Sequence, residues 1–275
     1  MKKILSLFIF TVLCVTFTAC GNNQAVHTDD SGDTLPPSAS STARATVTDT
    51  PEEGDKVVDN LDDIYNAYFT ALENLIQNHT FPDGTEAGEL SGDMSENMFA
   101  IYDVDNDGKD ELIIMYSGTI IAGMTEYVFG YDDETGALQT ELQEFPPVTF
   151  YNNGIVKVLW SHNQGRAGEF WPYNMYQYNR DSDSYVLVGM VDAWDKNIPG
   201  TDSQNNPFPS DIDKSETGFV YYIMKDGQYD DTHPVDVSEY NEWVNDYIED
   251  ALEIQIQYMD LTEENISQIK SGLWE

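Results

Sequence analysis

Cysteine is almost missing from this 275-residue chain. There are two, Cys14 and Cys20, and none beyond position 20. Everything that follows therefore lacks a disulfide, a thiol nucleophile and a zinc–thiolate cluster. Histidine is scarce too: His27, His79, His162 and His233 are scattered singly. Basic residues number 12 against 50 acidic ones, a formal charge of −38. A surface of that sign repels nucleic acid and anionic lipid. It suits solubility, cation binding or a cationic partner. No G-x-S-x-G, H-E-x-x-H or phosphate-cradling loop occurs. "SQIK", 267–270, matches S-x-x-K only trivially. With 50 carboxylates a glycosidase pair is available anywhere, so none is singled out. No catalytic residues are assigned, and the sequence points away from an enzyme.

What is present begins with a leader. Lys2 and Lys3 precede "ILSLFIFTVLCVTF", and "TAC" closes the segment on a small residue before Cys20. Removing residues 1–19 leaves 10 basic against 50 acidic side chains, because Lys2 and Lys3 are lost with no acid. The stretch "FTACGNN", 17–23, resembles a bacterial lipobox, with Phe17 where that motif usually has Leu. The resemblance implies that Cys20 is lipidated, becomes the new N-terminus, and anchors the chain to the outer face of the cell membrane. The alternatives are an ordinary secretory signal or an uncleaved anchor. Residues 20–55 are rich in Ser, Thr, Pro, Asp and Gly with few large apolar groups, the composition of a tether.

Residues 56–275 read as one α+β domain. Apolar residues make up 40% of the chain and aromatics 12%, enough for a core. Leu61, Ile64, Tyr65, Tyr68, Phe69, Leu72, Leu75 and Ile76 fall on one helical face, with Asn60 as cap. From about 97 to 229 the period is two. "EYVFGY", "GIVKVLW", "YNMYQY", "YVLVGMV" and "FVYYIM" read as strands. "YDDETGA", "FYNNGI", "YNRDSDSY" and "MKDGQY" read as the turns of an antiparallel meander. Residues 195–218 read as a long exposed loop. "SEYNEWVNDYIEDALEIQIQYMD" reads as a second helix capped by Ser238, with Trp243, Tyr247 and Leu252 on its stripe. "LTEENISQIKSGL" reads as a third, capped by Thr262 and stopped by Gly272. The expectation is an antiparallel meander sheet packed by an N-terminal helix and C-terminal helices.

The chemistry concentrates in "FAIYDVDNDGKDELIIMY", 99–116. Alternate carboxylates wrap Ca²⁺ with hard oxygens, and a glycine permits the sharp turn between them. Asp103, Asp105 and Asp107 supply the first three ligands, the carbonyl of Lys109 a fourth, and Glu111 a fifth, directly or through water. An EF-hand needs a bidentate Glu where this chain has Ile114, and helical flanks where it has β-forming residues. The spacing resembles instead the nine-residue strand–loop–strand calcium loop of FG-GAP-type proteins, with Glu111 replacing the usual Asp. The tether, the helix, the "YD-D-DG--ELI" segment, the tyrosine-rich meander and "LTEENI" together resemble a group of clostridial surface lipoproteins. That resemblance implies a calcium loop and no activity. The bland alternative is an acidic turn that binds nothing.

Asp181/Asp183 and Asp211/Asp213 lack the glycine or the fourth ligand and read as plain turns. "LWSHNQGRAGEFWPY" offers Trp160, His162 and Trp171 as a possible ligand surface beside a glycine-rich turn. The reading is a membrane-anchored, calcium-stapled binding module whose partner is a cell-surface protein or glycan. The alternative is a hydrolase or carbohydrate-binding protein acting on wall or environmental polysaccharide through the aromatic face around Trp160, Trp171 and Trp194.

Overall fold

The segments of period two fold as two antiparallel sheets rather than one. In a computed structural model, which describes residues 55–162, 165–202 and 204–271, the first helix α1 runs Asp55–Asn78. It starts a turn ahead of Asn60, which is therefore an interior residue and not the cap. The first sheet is built from β1 (Met98–Tyr102), β2 (Glu111–Tyr116), β3 (Thr125–Asp132) and β4 (Ala137–Glu144). The second holds β5 (Val148–Phe150), β6 (Ile155–Leu159), β7 (Tyr173–Asn179), β8 (Ser184–Asp195), β9 (Phe219–Lys225) and β10 (Gln228–Tyr229). The chain then forms α2 (Val237–Ile248), a two-residue strand β11 (Met259–Asp260) and α3 (Glu263–Ser271). Strand orders are β11-β1-β2-β3-β4 and β10-β9-β8-β7-β6-β5. The leader, Cys20 and the tether up to residue 54 lie outside the described residues, as does Gly272.

The four turn clusters become four hairpins, β3–β4, β5–β6, β7–β8 and β9–β10. Each carries residues with positive φ, among them Gly136, Gly154, Asp183 and Gly227.

Each sheet has two buried faces, which is why its strands are apolar on both sides. Ile64, Tyr68, Leu72 and Leu75 of α1 pack with Ile266 and Ile269 of α3 on Phe99, Leu112, Ile114, Tyr127 and Phe129. Leu61, on the expected stripe, is exposed. Ala100, Ile113, Val128 and Leu142 on the other face meet Val148, Phe150, Val156, Val158 and Tyr185 of the second sheet. The far face of that sheet, Tyr173, Met175, Val191 and Ile223, takes Tyr240, Trp243 and Tyr247 of α2.

Three expectations are corrected. The second helix ends at Ile248, and Leu252 is 69% exposed. Beyond it Ile254, Ile256 and Tyr258 alternate into the core between the sheets, with Ile254 N–H bonded to Phe150 O. The cap of α2 is Asp236, whose carboxylate accepts from Ser238 N–H. Thr262 does cap α3, accepting from Asn265 N–H. The long loop between β8 and β9 is not wholly exposed: Phe208 and Ile212 pack on Trp194, Val220 and Tyr222.

Candidate metal centre

The pair Tyr102↔Glu111 closes the first hairpin, so residues 103–110 form a loop with a strand on either side. Asn106 and Gly108 sit at φ 68° and 95°, a left-handed region that Asn tolerates and glycine prefers. Those two residues coil the chain so that its amides face its own carboxylates. Asp103 accepts from the N–H groups of Asn106 (2.8 Å) and Gly108 (3.2 Å). Asp105 accepts from Asp107 N–H (2.8 Å), Asp107 from Lys109 N–H (2.8 Å), and Glu111 from Val104 N–H (2.9 Å). From outside, helix α1 holds the loop: Tyr68 Oη donates to Asp110 O at 2.5 Å and Tyr65 Oη to its carboxylate at 2.9 Å.

One carboxylate oxygen from each of Asp103, Asp105 and Glu111 lies within 4.8 Å of the others, and a second such trio is Asp105, Asp107 and Asp183. Either trio can hold a metal ion. Asp105 is 4% exposed and Glu111 2%. Burial, then the charge of Asp107, pushes Asp105 up to about 6. Burial, then Asp105 and Glu141, pushes Glu111 up to about 10. A buried carboxylate is costly unless paired or bound to metal, and among the described residues no ion pair to Asp105 or Glu111 occurs. Lys109 Nζ pairs with Asp133 at 2.8 Å on the exposed β3–β4 turn. Arg180 donates to Asn106 O at 2.8 Å. The second oxygen of Asp105, Oδ2, has no hydrogen-bond partner.

Two carboxylates that the sequence did not flag belong here. Glu141 is 6% exposed and its Oε2 also lacks a partner. Between Val128 and Phe129 the β3–β4 register shifts, pairing Val128 with Leu142 and Phe129 with Thr140. Glu141 is the extra residue of that bulge, a device that re-aims a side chain. Its Oε1 would lie 1.9 Å from a Cβ on Gly130, so glycine in mid-strand makes room for the carboxylate. Burial first, then Asp105, raises its pKa to about 9. Asp183, read from the sequence as a plain turn residue, stands at φ 47° in the β7–β8 hairpin and accepts the Tyr178 hydroxyl. The Tyr178 hydroxyl also lies within hydrogen-bond range of Asp105. Asp213, by contrast, is a plain turn acid, accepting from Thr217 and Gly218 N–H.

The aromatic loop is a separate place. Trp160 donates to Asn174 Oδ1, and Trp171 donates to Trp160 O at 2.7 Å. Trp171 is 44% exposed, and His162 contacts Ser161 Oγ. Trp194 is buried against Phe208, so the three tryptophans do not share one exposed face.

Among the described residues no helix is long and apolar enough to cross a membrane. Compared with protein-family models, curated proteins and solved structures, the chain matches none.

Proposed function

We propose that this chain is a lipid-anchored protein of the outer face of the cell membrane, and that its folded part is a non-catalytic binding module stapled by calcium at the β1–β2 loop. The observation that carries the metal is Asp105 Oδ2, buried and without a partner in a trio of carboxylate oxygens. Asp103, Asp105, Asp107 and Glu111 supply oxygens at the spacing Ca²⁺ prefers, and the Lys109 carbonyl adds another. The ion's charge offsets that of the buried carboxylates, since Lys109 pairs with Asp133 and Arg180 with the Asn106 carbonyl instead. The anchor reading stands on Cys20 and its leader, and the net charge leaves nucleic acid out of the partner list. A cell-surface protein or glycan is the partner class. The carbohydrate reading has only the exposed ring of Trp171 in its favour.

Extracellular modules bind Ca²⁺ with dissociation constants of about 10⁻⁴ to 10⁻³ M. At millimolar calcium, mass action then supplies about 0.4–1.5 kcal/mol. Melting curves of the purified protein in EDTA and in calcium should differ by roughly 1–5 °C, with magnesium giving less. Superimposable curves, and no heat on calcium titration, would reduce the loop to an acidic turn. Cys20→Ala should release the protein from the membrane fraction; a variant that fractionates like the parent removes the anchor.

A further inference from the structure

The loop accounts for only part of the buried charge around it. Among the described residues four buried side-chain atoms lack a hydrogen-bond partner. Three of them are Asp105 Oδ2 in the loop, Glu141 Oε2 on β4 and Tyr185 Oη on β8, and the charge of Asp105 acts on both of the others. They stand where the two sheets meet. Asn106 Nδ2 donates to Asn152 O of the β5–β6 turn at 3.2 Å. Arg180 reaches Asn106 from the β7–β8 turn, and Tyr185 of β8 packs with Tyr178 at a ring separation of 5.5 Å. Six carboxyl groups, those of Asp103, Asp105, Asp107, Glu111, Asp183 and Glu141, gather in and around the loop, and the single trio Asp103, Asp105 and Glu111 engages only three of them.

We propose that a second cation position bridges the sheets, held by Asp105 and Asp107 of the first-sheet loop and Asp183 of the β7–β8 hairpin. The oxygens of these three already lie within 4.8 Å of one another. Glu141, buried on β4 with an unpartnered oxygen, is the neighbouring acid. The charges acting most strongly on its carboxylate are Asp105, Asp183 and Asp107, in that order. The bulge and Gly130 are the local devices that hold it there. Asp105 Oδ1 stays with the loop backbone, and Oδ2 is the oxygen left over for a cation. The position rests on the loop reading because Asp105 and Asp107 are common to both. Its ligand class is a hard divalent cation, since every donor is a carboxylate oxygen. Its effect is mechanical: it ties together two sheets that no ion inside the loop alone would connect.

Calorimetric titration of the purified protein with calcium separates the two positions. Asp183→Asn keeps the oxygen that accepts from Tyr178, and Asn tolerates the left-handed backbone at 183, so the hairpin survives. The parent should bind two equivalents and Asp183→Asn one. Glu141→Gln should weaken the second equivalent about tenfold. Hydrogen exchange at the 179–184 turn should slow with calcium in the parent and not in Asp183→Asn. One equivalent in both proteins, at equal affinity, overturns the bridging position and leaves the loop site standing. One equivalent lost in Asp183→Asn but kept in Asp103→Asn supports the bridge and overturns the loop site. No binding by the parent overturns both.

Discussion

Glu126 and Glu141 sit on neighbouring strands of one sheet, both almost fully buried, and the protein treats them in opposite ways. Glu126 is fully occupied: one oxygen accepts from Val148 N–H at 2.9 Å, the other from the Tyr258 hydroxyl at 2.6 Å. It stitches the start of β5 and the extended C-terminal segment to β3, and nothing is left over for a ligand. Glu141 sits at a bulge, needs a glycine beside it, and keeps Oε2 free. Burial alone does not distinguish a structural acid from a ligating one. The distinction lies in whether protein donors saturate the oxygens. By that measure Asp105 belongs with Glu141 and Asp213 with Glu126.

The largest effect should come from the saturated acid. Glu126→Ala strands the Val148 amide and removes the partner of Tyr258. Leaving two such donors unmet costs about 2–4 kcal/mol. Urea unfolding should show that loss while calcium affinity stays at the parent value. A change in affinity comparable to that in Glu141→Gln would erase the contrast between the two acids.

Gly130→Ala sharpens the comparison from the other side. The new methyl group would meet Glu141 Oε1 at 1.9 Å, and the carboxylate must leave its place. Overpacking of this kind costs roughly 1–3 kcal/mol, less than the loss at Glu126 because a side-chain end can move. Unlike Glu126→Ala, it should also weaken calcium binding, read by the same titration. A stability loss with intact calcium affinity would mean that Glu141 has no part in the site.

How much of this was legible follows from how local each signal is. The strand–loop–strand setting of Asp103–Glu111 was readable because one loop supplies spacing, glycine and flanks. The hairpin turns were readable because their residues carry positive φ. Asp183 was not, because it reaches the loop only after two sheets pack. Nor was Glu141: in "ALQTELQE" no residue marks the bulge that re-aims it. Two sheets were read as one meander because the turn between β4 and β5 looks no different from a turn within a sheet. The end of the second helix was overrun although "EIQIQYMD" alternates apolar and polar residues. That period-two pattern was the available signal, outweighed by the helical spacing that runs up to Leu252.

The most specific effect is in the pH dependence, measured in EDTA so that no cation intervenes. Both glutamates have pKa values raised by burial, Glu126 to about 7 and Glu141 to about 9. A carboxyl whose folded pKa is raised holds its proton in the folded protein after the unfolded chain has released it. Its contribution to stability is therefore full below the ordinary carboxylate pKa, declines as pH rises, and levels off above the folded value. Replacement by Gln removes that decline, so each variant gains on the parent as pH rises from about 4.5. The two gains should stop at different points. For Glu126→Gln the difference from the parent should flatten near pH 7, with the amide oxygen accepting from Val148 N–H and the amide N–H₂ donating to the Tyr258 hydroxyl oxygen. For Glu141→Gln it should keep growing towards pH 9, since Asp105 adds its charge to the burial. Thermal melts of the two variants and the parent at half-unit steps from pH 5 to 9 test this. Difference curves that flatten at the same pH would mean the two acids share one kind of environment after all, and that the open oxygen of Glu141 confers nothing.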